Sequence, residues 1–76
     1  MVTFEKYKIK VIKEFKELWP SLSDEEVNEY FEGEGEETTR EDYERYIKRL
    51  KNNEITEDIF MHGCVGSTAY ELSLMY

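Results

Sequence analysis

Two short stretches hold the residue types that could do chemistry: MHGCVG, Met61 to Gly66, and EGEGEETTREDY, Glu32 to Tyr43. A thiol nucleophile needs a base held across from it and an oxyanion site beside it. His62 and Cys64 are the only His and Cys of a 76-residue chain, which leaves little scaffold for the rest. Structural zinc takes four ligands, so the same scarcity argues against it. A calcium loop starting at Glu32 has acids at its first, third and fifth positions. It then has Glu37 at the sixth, where the sharp turn needs Gly, and Tyr43 at the twelfth, where a bidentate Glu belongs. GCVGST, Gly63 to Thr68, lacks the Lys of a phosphate-binding loop and follows a helical pattern instead of a strand. The expectation is a non-enzymatic protein with no catalytic residue, no metal site and no cofactor. Cys64 is read as a small buried apolar residue and His62 as a residue at a helix edge.

What the chain offers instead is charge. EYFEGEGEETTREDYERY, residues 29 to 46, carries seven Glu and one Asp against two Arg. The overall charge of −8 is distributed in blocks: +2 over residues 1 to 23, −10 over 24 to 44, +4 over 45 to 51 and −4 over 52 to 76. Such a field repels phosphate backbones, which excludes direct nucleic-acid binding, and attracts basic proteins. Part of the block has local uses: Asp24, Glu25 and Glu26 suit a helix start, while Glu41 with Arg45 and Glu44 with Lys48 are spaced as i,i+4 pairs. Glu29, Glu32, Glu34, Glu36 and Glu37 have no base within their own segment. They are either a solvated connector or, with Glu41, Tyr43 and Glu44, a surface for a basic partner. Carboxylates three or four residues apart on a helix lie ~5–6 Å apart at Cβ, a spacing that permits mimicry of phosphates. Tyr43 and Tyr46 belong first to a helical stripe, rings inward and hydroxyls at the water, although a Tyr at an acidic rim is also a common interface residue.

The elements that must carry these residues read as an all-α, four-helix domain over residues 1 to 76. Phe4, Tyr7, Val11, Ile12, Phe15, Leu18 and Trp19 recur at helical intervals, with Thr3 as N-cap and Pro20 as stop, giving a helix over about 3–19 with Lys6, Lys10 and Lys13 outside the stripe. Ser23 with Glu26 forms a capping box, and Leu22 with Val27 a hydrophobic staple, opening a second helix over about 23–32 that buries Val27, Tyr30 and Phe31. Gly33 and Gly35 end it, and an acidic connector over 33–38 follows. Thr39 is expected to cap a third helix, about 39–51, with Asn52-Asn53 as its stop. Thr56 caps a fourth, with Ile55 and Phe60 as its staple, extending over about 56–74. A break at Gly63 and Gly66, with a fresh start at Ser67 or Thr68, is the alternative. This last helix is nearly free of charge all round, so it is expected to be largely buried among the others. The N-terminal MVTFEKYKIKVIKEF interleaves Lys with apolar residues, unlike a signal peptide, and Glu71 and His62 interrupt the only weakly charged stretch. The expectation is a cytoplasmic protein without a membrane span.

Stretches such as LWPSLSDEEVNEYF and GCVGSTAYELSLMY, together with size and acidic helical make-up, resemble the short acidic helical proteins of prophages and integrative elements of Gram-positive bacteria. Anti-CRISPR and anti-restriction inhibitors occur among these. The resemblance implies a protein that sets an acidic surface against the nucleic-acid channel of a basic host defence or DNA-processing protein. It assigns no residue a role. The alternative is a small structural or regulatory domain, a homodimer through apolar helix faces, whose acidity serves solubility alone.

Overall fold

The computed structural model describes residues 2–76. Every element in that range is helical: α1 (Phe4–Leu18), α2 (Asp24–Glu32), α3 (Glu34–Lys51) and a last helix, α4. α4 begins as a short α turn (Glu57–Ile59), passes through a π turn (Phe60–Cys64) and continues as a longer α segment (Val65–Met75). Backbone angles remain right-handed helical at Ile59, Phe60, Cys64 and Val65, so neither Gly63 nor Gly66 breaks it.

The starts follow local chemistry. Thr3 and Thr56 accept from the backbone N–H three residues on, and Ser23 and Glu26 exchange both bonds of the capping box at 3.1 Å each. α3 stops as its two asparagines predict. Asn53 takes the left-handed conformation (φ 59°), while the N–H groups of Asn53 and Glu54 close on the carbonyls of Leu50 and Arg49, a Schellman-type ending.

The connector over 33–38 is corrected. It shrinks to Gly33, and α3 begins at Glu34, five residues before the expected start at Thr39. Glu34, Glu36 and Glu37 occupy the first turn, where the positive end of the helix dipole favours carboxylates. Thr39 is fully buried inside the helix, where its hydroxyl donates to the Gly35 carbonyl one turn back at 2.6 Å. Gly35 is there for closeness: a Cβ at that position would lie 2.9 Å from the Tyr30 carbonyl oxygen of α2.

α1 lies along the Val65–Met75 segment, and the α2–α3 hairpin closes over it. Tyr7, Val11 and Phe15 of α1 meet Val27 and Phe31 of α2, Ile47 of α3, and Phe60, Val65, Ala69 and Leu72 of α4 in one core. Its aromatic residues gather at two ends. Phe4, Tyr7, Tyr43 and Phe60 form one group, and Phe15, Trp19, Tyr30, Phe31 and Tyr76 the other, with ring centroids 5.0 to 6.1 Å apart. α4 is buried on one face only. The expected burial among the other helices is corrected: Tyr70 and Leu74 are 58% and 70% exposed, because α1 and α3 pack on one side of α4 and, among the described residues, no helix covers the other.

Candidate acidic interface

The capping box and the buried Val27 and Phe31 fix how α2 is rotated, and that rotation turns Glu25, Asn28, Glu29 and Glu32 to solvent. These four line one shallow concavity. Glu26, Glu29, Tyr30, Glu34 and Tyr76 line a second, which adjoins the first at Glu29. Among the described residues Glu25, Glu29, Glu32 and Glu34 make no ion pair.

The expected surface residues separate into three groups. Glu29, Glu32, Glu34 and Glu37 are exposed around the α2–α3 corner, and Glu41 and Glu44 are exposed further along α3. Glu36 is half-buried and already neutralised, 3.3 Å from Lys8 and 3.5 Å from Arg40. Half-buried Tyr43 packs among Phe4, Tyr7 and Phe60, and its hydroxyl donates to the Val2 carbonyl at 2.7 Å. The i,i+4 pairing of Glu41 with Arg45 does not form: Arg45 turns to Asp42 at 2.8 Å. Asp42 is almost fully buried and so offers the stronger local field. Glu44 and Lys48 likewise form no pair among the described residues.

Sequence reasoning missed a buried polar group. Thr68 donates to Asp42 Oδ2 at 2.9 Å and lies 2.6 Å from the Tyr7 hydroxyl, which also reaches the Cys64 carbonyl at 3.1 Å. These bonds tie α1, α3 and α4 together inside the core. Burial pushes the Tyr7 phenol far above its ordinary range, so it stays a neutral donor. Burial likewise raises the Cys64 thiol, the opposite of the shift that activates a nucleophile. His62 is exposed and reaches only Asp58 of its own helix, at 3.5 Å. No signal in the chain marked Asp42 as internal, since it stands in a run of acids that otherwise face water.

Tyr76 was also missed as a site residue. Its ring is 5.0 Å from Tyr30 and 5.5 Å from Trp19, which brings the end of α4 beside α2. Among the described residues no three His, Cys, Asp or Glu side chains converge as for a metal ion, and no helix is long and apolar enough to cross a membrane. No protein-family model, curated protein or solved structure matches the chain.

Proposed function

We propose that this is a non-enzymatic interaction module that presents the α2–α3 corner to a basic protein. One observation carries the reading: Glu29 and Glu32 stand towards the C-terminal end of α2, where the helix dipole disfavours carboxylates, in a helix whose last turn holds no base. Glu34, Glu36 and Glu37 gain from their place in the first turn of α3, and Glu26 serves the capping box. Glu29 and Glu32 have no such structural use and cost the fold a little, which binding of a basic partner would offset. The resemblance to mobile-element proteins supports an inhibitor that occupies the phosphate-binding channel of a host defence or DNA-processing protein.

The test is capture of a partner from host lysate by wild type and by the Glu29→Gln/Glu32→Gln variant, at low and high salt. A specific partner lost both in the variant and at high salt supports the reading. A partner held equally by both proteins at all salt concentrations sinks it.

The exposed apolar side chains of α4 favour a second reading, self-association with acidity serving solubility. It predicts a dimer insensitive to salt and weakened by Leu74→Lys, measured by sedimentation equilibrium.

A further inference from the structure

We propose that the corner between Tyr30 and Tyr76 is a pocket for a single arginine side chain of the basic partner. This deepens, and rests on, the reading of the α2–α3 corner as an interaction surface. The two rings meet at 89° with centroids 5.0 Å apart and form the apolar walls of a cavity of about 370 Å³. Glu26, Glu29 and Glu34 complete the lining, and no Lys or Arg takes part. One oxygen of Glu26 is held by the Ser23 N–H, which leaves Glu29 and Glu34 as the free carboxylates. The walls are set before any ligand arrives: the Tyr30 hydroxyl donates to the Leu72 carbonyl at 3.2 Å, and both rings pack on Phe15.

The molecule already builds this contact at its other aromatic end. There the Arg40 guanidinium lies 4.1 Å from the centroid of the Phe4 ring and 3.5 Å from Glu36. Ring, guanidinium and carboxylate together form one recognition unit, since the ring face and the carboxylate both carry negative potential. Around Tyr30 and Tyr76 the rings and carboxylates recur without an internal cation. A planar guanidinium suits such a place better than an ammonium, because it stacks on rings, is more weakly hydrated and can meet a carboxylate with two donors.

The test is an NMR titration of the full chain with acetylated, amidated Gly-Arg-Gly, with Gly-Lys-Gly and Gly-Gln-Gly as controls. The ring protons of Tyr30 and Tyr76 should shift with the arginine peptide, less with the lysine peptide, and not with the glutamine peptide. Tyr76→Leu should weaken arginine binding about two- to fivefold, the size of an exposed cation–ring contact, while Tyr76→Phe binds as wild type. Should Tyr76→Leu lose its helical circular dichroism, Glu34→Gln, exposed in the first turn of α3, supplies the variant, with weakening again expected. Undiminished binding in Tyr76→Leu or, where that variant unfolds, in Glu34→Gln, equal binding of the lysine peptide, or shifts confined to Glu37, Glu41 and Glu44 would overturn the pocket. The acidic-surface reading survives those results. It falls separately, if partner capture is indifferent to Glu29→Gln/Glu32→Gln.

Discussion

At the scale of single residues, the chemistry inside the protein is a relay of hydroxyls ending on a buried carboxylate. The Thr68 hydroxyl donates a hydrogen bond to Asp42 and lies within hydrogen-bond distance of the Tyr7 hydroxyl, so one side chain engages two others. Thr68→Val keeps the shape but strips a bond from a buried acid, and should destabilise by about 1–3 kcal/mol in urea unfolding. Thr68→Ser should lose much less. Glu71 lies beside this group. Its carboxyl is held above the usual range, first by burial and then by the neighbouring Asp42 carboxylate, against the pull of Arg45. The folded protein therefore binds that proton more tightly than the unfolded chain does. The resulting stability is fully present below the unfolded value of about 4.3 and is lost as pH rises through the folded value. Glu71→Gln should raise the unfolding midpoint at pH 7 and give no gain at pH 3. An equal gain at both would show that charge is not the cause.

At the scale of elements, α2 and α3 depend on one cap and one glycine. Ser23→Ala removes half of the capping box and should cost about 0.5–2 kcal/mol in thermal unfolding while leaving partner affinity intact, since the cap acts on the fold. Gly35→Ala forces a methyl against the backbone of α2, which cannot yield as a flexible side chain would. A loss of about 1–3 kcal/mol is expected, in the range of overpacked cores. Gly33→Ala serves as the contrast. A Cβ there would be 3.9 Å from the nearest carbonyl oxygen, ordinary contact distance, so the midpoint should move far less. Equal effects at the two positions would refute close approach as the reason for Gly35. In α4 the π turn admits an extra residue, which shifts the phase of the buried stripe between Phe60 and Val65.

At the scale of the whole molecule, charge and surface area bear on function. The accessible surface of 4985 Å² is close to the roughly 4,900 Å² expected of a folded monomer of this mass, so the fold does not require a partner to be compact. Ile59, Tyr70, Leu74 and Met75 of α4 lie exposed outside that compact core. Glu29→Gln/Glu32→Gln should leave the thermal midpoint unchanged or slightly higher, because like-charge repulsion is relieved and no packed contact is lost. On the proposed acidic-surface reading, the same variant should bind a captured basic protein more weakly in isothermal titration. Wild-type affinity should fall with salt, as exposed charges are screened over a Debye length of ~8 Å at physiological ionic strength.

Local chemistry alone determined the helical class, the starts at Ser23 and Thr56, the stops at Pro20 and Asn53, and most of the core stripe of α1. Each depends on residues a few positions apart, whose bonds form within one turn. The start of α3 was beyond that reach. Glu34, Gly35 and Glu36 look like a flexible acidic connector until α2 is seen to cross them, where the absent side chain at Gly35 becomes what the packing requires. Asp42, Thr68 and Tyr7 are separated by 26 to 61 positions, and no local pattern announces that three helices will bring them together. The candidate interface divides in the same way. Its acidity is written in the composition, but tertiary packing decided that Glu36 and Tyr43 are occupied and that Tyr76 stands beside Tyr30. Which charges remain unpaired depends on the neighbours that folding supplies.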